Sequence, residues 1–466
     1  MKIKKATYVL PFIILCGTLS ACSLAPDLKK TDTVLPQNWQ LSGDSATRLE
    51  GEWWQAYHDK KLEELIAQAL AYNSDIQLAA ARVDEARAIA GSARAQRIPN
   101  ISAGGGVSRS DLGAGLLPGE TSADDSFILG SLLSFEIDLW GRLANADKAA
   151  RQQLLAVQAN AQTVALGVTA ETASNHFAIA TLNEQISITH KTIKTRKNAY
   201  SLEKKRLDKG DIDALSARQA EAQLIAAQAR LPVLEQQREQ RLSALSVLLG
   251  RSPQDIMDSK AFAEADKTVL PALPPLPEKD AASVMVSRPD VRTAEHALQA
   301  ANADIGVARA AYLPRLSLSG LLGVASGDLD SLLESGSRSW SLGANATMPL
   351  LDFGRARSQV ELAEAREKQA YLSYKKTVRM AFREIKDALT ARDKTKAQLD
   401  ALDKQVAVLR DSSRLARKRF DSGYSSYIEV LDSERSLYEA ELSQAEAKRQ
   451  LLQSSVDLYK AIGGEN

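Results

Sequence analysis

The sequence predicts a mixed α/β membrane-protein fold: a duplicated half that supplies two strands and a pair of very long helices each time it occurs. Three observations predict it. Motifs recur in order more than two hundred residues apart, long stretches lack helix-breaking residues, and short segments alternate apolar with polar residues.

The duplication comes first, because a missed repeat misassigns everything after it. Gly91-Ser-Ala-Arg94-Ala95, followed by Pro99, returns as Gly306-Val-Ala-Arg309-Ala310, followed by Pro314, at an offset of 215 residues. Asp75 matches Asp290 at the same offset. Farther along the offset becomes 213: Trp140-Gly141-Arg142 recurs as Phe353-Gly354-Arg355, and Arg206-x-Asp208-x-Gly210 as Arg419-x-Asp421-x-Gly423. Glu171 and Glu384, Glu221 and Glu434, and Gly250 and Gly463 keep that register. A period this long marks a duplicated domain half rather than a solenoid.

Each half begins with an Ala-rich helix, expected over Leu62 to Arg97 and Ala282 to Tyr312 and closed by Pro99 or Pro314. Two alternating segments follow, then two long helices. Between Gly354 and Gly463 there is no Pro and the only Gly is Gly423; between Gly141 and Gly250 stand only Pro232, Gly167 and Gly210. Arg142–Asp208 and Arg355–Asp421 cover 67 residues each. As unbroken helices they would reach about 100 Å at 1.5 Å per residue. Ile179, Ile186, Ile193, Tyr200 and Leu207 recur every seven residues, and Leu399, Leu402, Val406, Leu409, Ala416 and Phe420 form a related stripe. That spacing is a coiled-coil signal, and Gly210 and Gly423 stand where each helix must reverse. By itself it favours a plain soluble coiled coil.

The alternating segments carry a second signal. Trp340, Leu342, Ala344, Ala346 and Met348 share one parity, and Leu316, Leu318, Gly320, Leu322 and Val324 another such series. Phe127, Leu129, Leu133, Phe135 and Ile137 match in the first half, with Ile101, Ala103, Gly105 and Val107 the weakest series. Such lengths suit tilted transmembrane strands, although soluble hairpins alternate too.

The leader favours the membrane. Lys2, Lys4 and Lys5 precede an apolar stretch from Tyr8 to Leu19, which ends in Leu19-Ser20-Ala21-Cys22. That ending resembles the lipobox of bacterial lipoproteins, in which the Cys is lipidated and becomes the first residue. Ser23 after the Cys fits sorting to the outer membrane. Several acyl chains on Cys22 would anchor the chain firmly. A lipid-exposed sheet must close, four strands are too few for one chain to close a barrel, and so several copies would share one.

Composition excludes other classes. The 59 Lys+Arg against 58 Asp+Glu give a formal net charge of +1, without the basic excess of a nucleic-acid binder. Two Cys and four His leave little for a metal cluster or disulfide framework, and no phosphate loop or nucleophile elbow appears. Neither enzyme nor cofactor is expected, beyond covalent lipid on Cys22.

The expected organisation is a signal peptide over 1–21, a lipidated segment over 22–60, a first repeat over 61–250 and a Pro-rich linker over 251–281. The second repeat takes 282–466. Expected strands lie near 101–109, 126–137, 315–324 and 338–348, with helical hairpins over 142–249 and 355–462.

These features together resemble an outer membrane factor of the TolC type, in the NodT-like lipoprotein branch paired with resistance-nodulation-division efflux systems. The lipobox, Trp53-Trp54 before Leu62-x-x-Leu65-Ile66-x-x-Ala69-Leu70, and Ala81-Arg82-Val83-x-x-Ala86-Arg87 carry the resemblance. The two Gly-x-Ala-Arg-Ala copies and the two aromatic-Gly-Arg copies add to it. The resemblance implies a homotrimer with a 12-stranded β-barrel in the outer membrane and an α-helical barrel in the periplasm. It implies an exit channel of a tripartite efflux pump for small molecules, with a periplasmic adaptor and an inner-membrane transporter as partners. An exit duct for type I protein secretion is the alternative; a lipid-anchored coiled-coil scaffold is a weaker one. It further implies a periplasmic gate at Ile428, Glu429, Asp432 and Arg435, and adaptor docking at the turns of Gly210 and Gly423. Some relatives lock their aperture with Tyr, Arg and Asp, where this chain has Phe420, Ser425 and Ser216, so that lock is not expected. On an exposed helix, Glu429, Asp432 and Arg435 would otherwise read as ordinary solvated pairs.

Overall fold

Asp59 opens the first helix: its side chain accepts from the backbone N–H groups of Lys61 and Leu62 at the start of α1, Lys60–Tyr72. The computed structural model describes residues 24–27, 40–41, 52–110, 124–257, 270–276 and 279–464. Cys22 and the leader before it lie outside the described residues.

The Ala-rich helix expected over Leu62 to Arg97 is two helices, α1 and α2, Ser74–Ala95, which part at Asn73. Asn73 is extended (φ −64°, ψ 130°). Its side-chain oxygen accepts from the N–H groups of Asp75 and Ile76, which starts α2 afresh. The second half breaks at the matching residue. Here α5, Ala281–Ser287, and α6, Pro289–Arg309, are parted by Arg288, which the following proline holds extended.

After the strands come the long helices. The first pair is α3, Arg142–Asp208, of 67 residues and α4, Ala214–Leu248, of 35. The second is α7, Arg355–Asp421, and α8, Tyr427–Ala461, of the same two lengths. Apolar spacing, not propensity alone, sustains such lengths: Ile179, Ile186 and Val406 are buried, and the other heptad residues are at least partly so. Pro232 is accommodated inside α4.

The described residues form two compact units, and each draws on both sequence halves. The first takes the described residues of Arg82–Gln158 and Thr293–Lys375, with 24–27. It contains one antiparallel sheet in the order β1-β2-β3-β4: β1 is Asn100–Ser110, β2 Asp124–Ile137, β3 Arg315–Ser326 and β4 Arg338–Thr347. Directly opposed residues share a face. Phe135 faces Leu318, which faces Ala344, while on the other face Ser102 meets Leu132 and Ser319 meets Gly343. One face is therefore almost wholly apolar, the other largely small and polar.

The second unit takes the described residues of Val34–Ala81, Ala159–Arg292 and Lys376–Asn466. Its main core gathers Trp53, Trp54, Tyr57, Leu62 and Ile66 with Phe177 of α3, Ile385 of α7 and Tyr459 of α8. The Trp53 and Tyr459 rings stack at 5.7 Å, and the Tyr57 hydroxyl is 2.6 Å from that of Ser455. Asp59 receives a 2.8 Å bond from the buried His176 ring. Burial pushes its carboxyl up, but the His176 and backbone N–H bonds outweigh that and hold it below its ordinary value.

The duplication persists at atomic detail. Asn73 Nδ2 donates to the Leu248 carbonyl at 2.9 Å at the end of α4, and its counterpart Arg288 donates through Nη1 to Ala461 at 2.6 Å at the end of α8. Unlike side chains thus satisfy the same helix-terminal carbonyls.

Candidate functional site

The two hairpin reversals lie in the second unit and share one design. Gly210 (φ 78°) and Gly423 (φ 76°) adopt the left-handed conformation that ends a helix without a Cβ clash. Around each, the next N–H reaches five residues back: Asp211 to Arg206 at 2.8 Å and Tyr424 to Arg419 at 2.9 Å. Asp213 then starts α4 by accepting from the Ser216 N–H at 2.9 Å.

Behind the turns all four long helices meet. Ala199 of α3, Ala220 of α4 and Tyr427, Val430 and Leu431 of α8 form a buried cluster, against which Ala416 and Phe420 of α7 pack. Burial pushes the Tyr427 phenol up to about 12. With that face of α8 turned inward, helical geometry turns Ile428, Glu429, Asp432 and Arg435 outward together, and all four are exposed. Asp432 pairs with Arg435 at 3.2 Å, and Glu429 reaches Arg419 of α7 at 3.8 Å. Within one chain these four residues have no structural task that burial would explain.

Phe420, Ser425 and Ser216 take other parts. Phe420 packs its ring 5.1 Å from that of Tyr427, with the Arg206 guanidinium 5.4 Å over it. Ser425 Oγ is buried and has no hydrogen-bond partner among the described residues.

Sequence reasoning missed a buried seven-residue row inside the coil, four of whose six members are polar. Val168, Asn175, Leu182, Thr189, Arg196 and Glu203 recur every seven residues along α3, and all are buried. Arg196 donates to the Gln223 carbonyl at 2.7 Å and lies 5.4 Å over the Tyr438 ring; Glu203 contacts Arg206 at 3.2 Å. Glu434 of α8 is partly buried, 3.8 Å from Arg417. Burial raises its carboxyl above the ordinary value, against the opposing pull of Arg417 and Arg196. The seven-residue spacing was the available signal, but charged members disguised it. Among the described residues no cluster of His, Cys, Asp and Glu is placed to hold a metal ion.

The sequence profile described as "Outer membrane efflux protein" matches residues 65–251 and 282–464, one segment in each half. The chain belongs to the outer membrane efflux protein family. It is 31% identical over 461 residues to the cation efflux system protein CusC of Escherichia coli K12, covering 98% of this chain and 99% of that one. It is 32% identical over 457 residues to the solvent efflux pump outer membrane protein SrpC of Pseudomonas putida, covering 96% of each. Among solved structures, the outer-membrane channel OprN superposes with a TM-score of 0.88 at 27% identity, over 95% of this chain and 99% of that one. As an outer membrane efflux protein the chain resides in the outer membrane, and its apolar sheet face is the surface suited to lipid. No described helix is long and apolar enough to cross a membrane.

Proposed function

We propose that this outer membrane efflux protein is the exit duct of a tripartite pump. Three copies share one 12-stranded barrel, lipid on Cys22 adds an anchor, and a periplasmic adaptor docks at the Gly210 and Gly423 turns. An inner-membrane transporter supplies the energy, and the duct itself needs no cofactor. The observation that carries the reading is a four-stranded sheet with an apolar face and two unpaired edges, joined to helices 67 residues long. An open sheet cannot lie in hydrocarbon, so copies must complete it. The relatives' names cover cations and solvents. On that basis the cargo is small molecules, chosen by the pump rather than by the duct.

Ile428, Glu429, Asp432 and Arg435 form the periplasmic gate. Repeated by threefold symmetry, Glu429 and Asp432 put six carboxylates around the narrowest ring, which favours cations. The experiment is single-channel conductance of the purified mature protein in planar bilayers, wild type against Glu429→Ala/Asp432→Ala. Small cation-selective currents that grow and lose selectivity in the double variant are expected. Currents indifferent to the substitutions would move the gate elsewhere, and a folded protein that passes no current would overturn the duct.

A further inference from the structure

The two Gly-x-Ala-Arg copies have different surroundings. Near the end of α6, the second copy carries residues 24–27 against it. Asn302 Nδ2 donates to the Pro26 carbonyl at 3.1 Å, and Arg309 Nη1 to the Leu24 carbonyl at 3.3 Å. Between these bonds, a Cβ added to Gly306 would meet the Ala25 nitrogen at 2.9 Å, so the segment lies this close only because Gly306 has no side chain. Arg309 is held from its other side as well, with Nη2 donating to Glu364 of α7 at 3.0 Å. Leu24, Ala25 and Pro26 are half-buried there, and Asp27 is exposed. Pro26 suits the place, since it has no N–H to leave unpaired and it holds Ala25 extended.

The first copy holds nothing comparable among the described residues. Gly91 has nothing within 4 Å of an added Cβ, and Arg94 is exposed. Arg87 stands where the second copy has Asn302, and its guanidinium turns to Asp84 on its own helix. The motif was duplicated, but one copy alone acquired an occupant.

The direction of that occupant carries the argument further. Pro26 sits at Asn302 and Leu24 at Arg309, so stepping back along the segment is stepping forward along α6, toward β3. Cys22 lies two residues before Leu24, and two residues span about 7 Å at most. On a helix axis that is roughly four to five residues. Counted from Arg309, the distance ends beside Pro314, next to the first residue of β3, Arg315. Resting on the reading that Cys22 carries lipid, we propose that Asn302, Gly306 and Arg309 form a seat for the N-terminal segment, and that the seat sets the depth of the acyl chains. The lipid enters the bilayer level with the start of β3. There Leu316, between Ile137 and Ala346, begins the apolar face of the sheet. Covalent anchor and apolar face start at one level, so neither draws the other out of the bilayer.

The test uses the full-length, processed protein in lipid vesicles. Leu24→Cys supplies a thiol for a nitroxide label, since Cys16 leaves with the leader and lipid blocks Cys22. Electron spin resonance reads the label's mobility. Collisions with oxygen and with a water-soluble nickel chelate read its depth, compared with the same label at Arg315→Cys. An immobile label within about 5 Å of the Arg315 depth, one helical turn, is expected. Asn302→Ala/Arg309→Ala should raise the mobile fraction about tenfold, as the loss of two ordinary hydrogen bonds would. Arg87→Ala/Arg94→Ala, the same change at the other copy, should alter nothing. Glu364→Gln frees Arg309 without touching the segment; it should loosen the label in part, and it serves if the double variant fails to fold. A label that is mobile in the otherwise unaltered protein, or that stays immobile in every seat variant, would overturn the seat. An immobile label at a depth unlike that of Arg315 would overturn the depth. Mass spectrometry of the N-terminal peptide tests the reading beneath: an unacylated Cys22 would remove the lipid and its depth, while the label's mobility still judges the seat.

Discussion

Arg196, Glu203 and Glu434 sit where a coiled coil ordinarily wants apolar side chains, and each meets the cost differently. Arg196 keeps its charge by bonding the Gln223 carbonyl and lying over Tyr438, whereas Glu434 stands partly desolvated 3.8 Å from Arg417. Its raised carboxyl fixes a sign. Between the raised folded value and the ordinary 4.5 of the unfolded chain, the native state binds the extra proton. Glu434 therefore subtracts stability at neutral pH, and that loss is relieved as pH falls through its folded value. Glu434→Gln should melt at a higher temperature than wild type at pH 7.5, with the gap narrowing toward pH 5; thermal scans by circular dichroism at the two values check this. A variant less stable at both values would show that the Arg417 pairing outweighs burial. None of this was legible beforehand, since a charged residue in a heptad looks solvated until the facing helix is known.

At the scale of elements, the two reversals and the two helix C-terminal ends use glycine for different reasons. Gly210 and Gly423 have positive φ and nothing within 4 Å of an added Cβ. Gly250 (φ 66°) and Gly463 (φ 102°) also press against backbone: Gly250 against the Tyr72 carbonyl, Gly463 against Ser287. Gly210→Ala should therefore cost about 1 kcal/mol, from the left-handed backbone alone. Gly250→Ala should cost about 3 kcal/mol or more, because the carbonyl of a packed helix end must also move. Denaturant unfolding followed by helical signal separates the two, and equal costs would refute the distinction. The long helices and their turning points could be read from the absence of Pro and Gly. The breaks at Asn73 and Arg288 were less visible, because an Ala-rich run conceals a single residue whose side chain bonds across to another helix. Pro289 marked the second break; at Asn73 only the cap pattern was available.

For the whole molecule, the four-strand arithmetic and the apolar parity were visible in the sequence, and both alternating hairpins fold as antiparallel pairs. The order of the strands was not, because pairing of β2 with β3 joins segments that lie far apart along the chain. Ile428, Glu429, Asp432 and Arg435 were picked out by resemblance alone, and their shared exposed face is what the structure adds. Phe353 tests the assembly without touching the fold. At 96% exposure it gives a lone chain almost nothing to lose, so Phe353→Asp should leave the unfolding of dissociated chains within about 0.5 kcal/mol of wild type. Intact assemblies in detergent should fall apart at lower temperature, as native mass measurements during heating would report. Equal dissociation temperatures would remove Phe353 from the contact between copies.

The open edges have a genetic corollary. If copies share one barrel as proposed, a chain damaged at β4 alone would still present a sound β1, join intact copies and halt their ring. Such an allele would act dominantly, disabling more export than its own share of expression. By the same logic a short peptide spelling out Asn100–Ser110 would compete for β4 before closure and would be harmless afterwards. Newly made duct would be its target, and duct already in the membrane would escape.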